Sequence, residues 1–186
     1  MNVTMWDFSI LDFIQTHLRA PWMDGFMTFV TTLGNIGIIW IVVGVALLFF
    51  KKYRPWGITL LLALAIGAIL GNCIIKPLVA RPRPCHLVSS VVLLIENPTS
   101  YSFPSGHTCS SFIGAITLTW ANRKFGFFAI PLAVLIAFSR LYLYVHFPTD
   151  IVGGIVLACL VAIPACLFLK PQTDRFLLWL PTKLKK

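Results

Sequence analysis

The stretch Trp56–Ile75, WGITLLLALAIGAILGNCII, runs twenty residues without a charged side chain. About 20 apolar residues in a helix are what the hydrocarbon of a bilayer requires. The rest of the chain agrees. Of its 186 residues 58% are hydrophobic and 11% charged, and the mean hydropathy is +0.87. Soluble domains carry about 25% charged residues. The predicted class is all-α: a polytopic membrane helical bundle, forming a single integral-membrane domain over residues 1–186.

Ile36–Phe50 is the predicted crossing before this stretch, ended by Lys51-Lys52-Tyr53-Arg54-Pro55. Pro21–Leu33, broken off by Gly34-Asn35, is the first. Ser105–Ala121, Phe125–Leu141 and Pro148–Leu169 follow, giving about six transmembrane helices. Trp6–Ile14 mixes apolar and acidic positions at helical spacing, which suits an N-terminal helix lying in the interface. Met1–Ala20 lacks the basic n-region of a cleaved signal peptide. The five cysteines include no C-x-x-C pair and read as small buried hydrophobes.

The net charge of +9 is a topology signal before it is a nucleic-acid signal. Lys51, Lys52, Arg54, Arg123, Lys124, Lys170, Arg175, Lys183, Lys185 and Lys186 fall on one side of this layout, ten of the fifteen basic residues. The positive-inside rule makes that side, with the C-terminal tail, cytoplasmic. Lys76, Arg81, Arg83 and Arg140 fall on the other side with His107, His146 and Asp150. Four cations left outside, close to the membrane, call for a stabilising partner, and a bound anion would serve.

Those outer residues form a pattern. Lys76 and Arg83 end the third crossing, and Pro104-Ser105-Gly106-His107 opens the fourth. Proline fits a first helical position, which would turn the amides of Ser105, Gly106 and His107 toward an anion at the helix end. Ser139-Arg140 closes the fifth crossing; His146 follows after five residues and Asp150 four beyond it. Cations of this kind grip phosphoryl oxygens. One histidine can attack phosphorus while the other protonates the leaving oxygen, and Asp150 can take the Nδ1 proton of His146 and expose Nε2. Singly, each has a plainer reading. Lys76 and Arg140 suit snorkelling, and His146 with Asp150 suits a polar helix entry. A zinc site is disfavoured because three cations surround its ligands. Together, intramembrane ionisable groups mark function.

Lys76-x6-Arg83-Pro84, Pro104-Ser105-Gly106-His107 and Ser139-Arg140-x5-His146-x3-Asp150 resemble, in order, the three motifs of the type-2 phosphatidic acid phosphatase superfamily, lipid phosphate phosphatases related to vanadium haloperoxidases. The motif core spans residues 76–150. The resemblance implies a small bacterial membrane member that needs no metal or cofactor and works through a phosphohistidine on His146, with His107 as general acid. It makes Lys76, Arg83, Ser105, Gly106 and Arg140 the phosphate ligands, with Arg81 a second-choice ligand because Arg81-Pro82 duplicates Arg83-Pro84. The substrate it favours is undecaprenyl diphosphate on the outer side of the cell membrane, with phosphatidylglycerophosphate and phosphatidate as alternatives. The loop Cys85–Ser102 is expected to choose among them. Other classes are a non-catalytic lipid-binding or transport protein, which should show inverted repeats, and a haloperoxidase, which should be soluble.

Overall fold

The computed structural model describes residues 5–88 and 90–183, with side chains through residue 177. Lys185 and Lys186 of the expected basic tail lie outside the described residues. Every regular element among those residues is helical. The bundle is built around α7 (Gly106–Ala121), which packs against α8 (Arg123–Tyr142), α9 (Pro148–Pro164) and α4 (Arg54–Ala68). Small residues let these helices approach, as they do where the surrounding solvent is itself apolar. At Gly57 an added Cβ would stand 2.7 Å from the Gly44 carbonyl oxygen on α3 (Ile38–Leu48). A Cβ at Gly114 would stand 2.3 Å from the Trp40 ring, whose Nε1 donates to Ser111 Oγ at 3.1 Å.

Inside the bundle, Leu60, Ala63, Ile113, Ala133, Ile136 and Ala158 are buried. Outside it, Phe127, Phe128, Val152, Leu160 and Phe168 are exposed. Helices apolar on both faces belong in a membrane. Three segments are long and apolar enough to cross one: Arg54–Leu87, Arg123–Tyr142 and Pro148–Leu177. The first continues α4 through a π-helical turn, Ile69–Ile75, into α5 (Lys76–Val79), before an extended stretch and α6 (Pro84–Leu87). The third runs through Ala165–Leu169 into α10 (Lys170–Lys183). Cys109 and Cys166 are buried as expected, but Cys73 is exposed.

The expected first and second crossings are not two antiparallel helices. Helix α2 (Pro21–Leu33) and Asn35–Leu48 are long and apolar enough to cross a membrane only together, bent by 44°. The contacts give the reason. Tyr142, at the end of α8, donates to Asp24 Oδ1 at 2.6 Å, whereas Tyr53, past the end of α3, accepts from Asn122 at the start of α8 at 3.3 Å. The chain therefore travels once along α8 between residues 24 and 53. With this bent pair as one, the described residues hold four spans by length and composition, fewer than the six expected. The bend is a short helical turn, Asn35–Gly37, in which Ile36 has φ +56° and Gly37 φ +71°. A β-branched residue in the left-handed region is strained, and such strain gathers at functional sites.

Helix α1 (Met5–His17) lies across the end of the bundle that carries Tyr142. Its Leu11 packs with Tyr144 and Phe147, Ile14 with Tyr142 and Val145. Trp6, Ile10 and Phe13 face outward, the division an interfacial helix requires. At the opposite end Lys170 lies over the Trp56 ring at 5.3 Å, and Thr173 donates to the Pro55 carbonyl.

Candidate active site

At the α1 end, the turn Leu143–Phe147 links α8 to α9 and carries His146, which is 2% exposed. Pro148 is the first residue of α9, as its fixed φ favours, so Asp150 falls in the first turn. There the Asp150 carboxylate accepts the Phe147 N–H at 2.8 Å through Oδ2. The same oxygen lies 3.3 Å from His146 Nδ1 and accepts the Ser102 hydroxyl. Nδ1 thus faces a carboxylate, and Nε2 lies 3.1 Å from Arg83 Nη1. Arg83 is held by the Ser100 carbonyl at 2.7 Å and the Val145 carbonyl at 2.8 Å. Burial pushes the His146 imidazole down to about 3, against the pull of its Asp150 bond and with help from the Arg83 and Arg140 charges.

The start of α7 differs from expectation by two residues. Ser105, not the residue before Pro104, is the N-cap, and the helix begins at Gly106. Serine is a favoured cap because its oxygen can accept from the first turn. Ser105 Oγ accepts from Thr108 N at 3.4 Å and Thr108 Oγ1 at 2.9 Å. Its own N–H donates to the Asp150 carbonyl at 3.1 Å, so the Ser105 amide is not turned toward an anion. Gly154 makes this contact feasible: a Cβ there would meet the Ser105 carbonyl at 2.8 Å. A Cβ on Gly106 would point to Asn72 Oδ1 at 3.6 Å and Lys76 Nζ at 3.9 Å, so Gly106 opens toward the lysine.

A cavity of about 800 Å³ starts here. Lys76, Arg83, Gly106, His107, Arg140 and His146 line one end, and Ile41, Leu61, Leu64, Ala65, Ala68 and Ile113 line the rest. Arg140 reaches it from α8; its Nη1 donates to Thr31 Oγ1, while Nε has no hydrogen-bond partner among the described residues. His107 Nε2 lies 2.9 Å from Asn35 Oδ1 at the strained bend. One wall is the loop expected to choose the substrate, through Ile95, Glu96, Pro98 and Ser100. A cationic end beside two imidazoles, continued by an apolar groove, fits an anionic head on a long apolar tail.

The sequence pattern of the PAP2 superfamily matches residues 56–174. The chain belongs to that superfamily. It is 38% identical over 133 residues to an undecaprenyl-diphosphatase of Sulfolobus acidocaldarius, covering 71% of this chain and 64% of the relative, somewhat less than two thirds of its length. The crystal structure of the transmembrane PAP2-type phosphatidylglycerolphosphate phosphatase of Bacillus subtilis superposes with a TM-score of 0.71 at 28% identity, covering 87% of this chain and 83% of that one. Aquifex aeolicus LpxE gives 0.72 at 27% identity, covering 89% and 97%.

In this PAP2 chain six of the eight expected site residues line the cavity. Asp150 stands behind His146, and Ser105 stands behind Gly106 as its cap. Arg81 is not beside them. It turns away from the cavity, its Nη1 donating to Asp150 Oδ1 at 2.6 Å and its Nη2 to Asp7 Oδ2 at 2.7 Å. Sequence reasoning missed Asn35, Asn72, Ser102 and Asp7. Asn72 had a readable signal, an amide inside the otherwise apolar run 56–75. It lies in the π-helical turn, a deviation common at functional sites.

Proposed function

We propose that this chain is a single-domain integral-membrane phosphatase that removes a terminal phosphate from a lipid phosphate or diphosphate, with an undecaprenyl-type diphosphate as the favoured substrate. The observation that carries this reading is the cavity itself, cationic around His146 Nε2 and apolar beyond it. His146 keeps its Nδ1 proton, hydrogen-bonded to Asp150, and attacks phosphorus through Nε2. The N–P bond forms, the P–O bond to the leaving group breaks, and His107 protonates the departing oxygen. Water then cleaves the N–P bond, releasing phosphate and free His146. Lys76, Arg83, Arg140 and the amides of Gly106 and His107 hold the equatorial oxygens, with Ser105 fixing the amide end.

The Sulfolobus relative, an undecaprenyl-diphosphatase, favours a polyprenyl diphosphate; the Bacillus neighbour, a phosphatidylglycerolphosphate phosphatase, keeps phosphatidylglycerophosphate as an alternative, beside phosphatidate. The site faces the outer side, with Lys51–Arg54, Arg123, Lys124 and Lys170 at the cytoplasmic end. The 16-residue α7 adds a crossing to the four spans, so the two ends of the described chain lie on opposite sides.

The test is phosphate release by purified protein from undecaprenyl diphosphate, phosphatidylglycerophosphate and phosphatidate, each with a chelator present. Release from the diphosphate at the highest kcat/KM is expected. Binding of these lipids without release from any of them would make the chain a non-catalytic carrier.

A further inference from the structure

Arg81 and Asp7 are buried ionisable residues that the proposed chemistry leaves unused, each 2% exposed. Arg81 sits two residues before Arg83 in the link between α5 and α6. They take opposite ends of the same pair. Arg83 reaches His146 Nε2, and Arg81 reaches Asp150 Oδ1, the oxygen that does not face the imidazole. Arg81 Nη1 also donates to Thr149 Oγ1 at 2.6 Å, and its guanidinium lies 4.2 Å over the Phe147 ring. Asp7 completes the cluster from α1, accepting the Thr149 N–H at 3.1 Å and Arg81 Nη2 at 2.7 Å.

Charge explains why both are present. Arg81 alone would cancel Asp150 and weaken its support of a positive imidazole. Asp7 returns the trio to a net charge of −1, leaving Asp150 an anion toward Nδ1. A buried charge needs such compensation to be tolerated.

We propose that Arg81 and Asp7 are positioning residues for phosphoryl transfer: Arg81 locks Asp150 with Oδ2 toward His146 Nδ1, and Asp7, delivered by the amino-terminal helix, offsets the Arg81 charge. This rests on the reading of His146 as the nucleophile. Neither residue lines the cavity, so neither should alter substrate affinity.

The experiment measures kcat, KM, vanadate inhibition and melting temperature for full-length protein in detergent, using one lipid phosphate. Arg81→Met and Asp7→Asn should each lower kcat about 10- to 100-fold, the usual effect of losing a partner that orients a reacting group. KM should move less than about threefold. Arg81→Lys and Asp7→Glu should recover part of the loss. In an Asp150→Asn background, adding Arg81→Met or Asp7→Asn should lower kcat little further, since both act through the carboxylate. Asp7→Asn keeps the shape of the side chain and carries the test if Arg81→Met fails to fold. Raised KM and weakened vanadate inhibition at unchanged kcat would make Arg81 a phosphate ligand and overturn the proposal. A lowered melting temperature with normal kcat, or additive losses in the Asp150→Asn background, would overturn it too. Retained activity in His146→Ala would instead remove the nucleophile reading on which it rests.

Discussion

His146 Nδ1 lies 3.3 Å from Asp150 Oδ2, and Asp150 is held by three further donors: the Phe147 N–H, the Ser102 hydroxyl and Arg81. A carboxylate fixed this way selects one tautomer of the ring beside it, with the proton on Nδ1 and a lone pair on Nε2. The spacing of four residues does not follow from one helix. His146 belongs to the turn and Asp150 to the first turn of α9, and Pro148 sets where that helix begins.

His146→Ala should therefore abolish turnover, and wild-type protein quenched during turnover should carry acid-labile phosphate on His146. Asp150→Asn should keep the fold and lose activity by at least about 100-fold, because the amide presents the wrong tautomer partner. Phosphate trapped on serine or cysteine would exclude this mechanism.

Acidity gives a second prediction. Burial depresses His146 to about 3, below its unfolded value near 6.5. Between those values the unfolded chain binds a proton that the folded chain refuses, so His146 stabilises the fold above about pH 6.5 and that contribution is lost as pH falls toward 3. The melting temperature should drop on acidification through this window, and His146→Gln should flatten the drop. A melting temperature insensitive to pH from 7 to 4 would contradict the depressed value.

The three motif segments were legible in the sequence because the helix ends that bear them are marked by Pro84, Pro104 and Pro148, and because charges inside apolar runs stand out. What was not legible has physical causes. Gly34-Asn35-Ile36-Gly37 reads as a break, and a break is the same in sequence whether the chain reverses or bends by 44°. Only contacts such as Tyr142 with Asp24 separate the two. Asp7 meets Thr149 across 142 positions, a pairing no local pattern encodes. Arg81 and Arg83 are indistinguishable as neighbouring Arg-Pro dipeptides, yet one faces the cavity and the other the back of Asp150.

The single bent crossing can be tested by labelling. With the native cysteines replaced, Thr16→Cys on α1 and a cysteine at position 97 in the loop should both react with an impermeant thiol reagent from outside. Lys52→Cys should react only after the membrane is opened. Two separate crossings in this region would place Thr16 with Lys52 instead.

Arg140 provides the most direct test of the anion site. It is 4% exposed, its Nη1 is committed to Thr31, and its Nε has no hydrogen-bond partner among the described residues. A buried guanidinium in that state gains a partner when an oxyanion enters beside it, and the in-line transition state offers three equatorial oxygens where ground-state phosphate offers a tetrahedron. Vanadate, which adopts the trigonal bipyramid, should inhibit at least about 100-fold below the concentration needed for inorganic phosphate. Arg140→Lys should cut kcat/KM by at least about tenfold, since a point charge cannot both keep Thr31 and span two oxygens. It should also narrow the gap between vanadate and phosphate, because the lost contact is one the transition state uses most. Equal inhibition by the two anions in the wild-type protein, or an Arg140→Lys variant that keeps the full gap, would place the phosphoryl group elsewhere in the cavity.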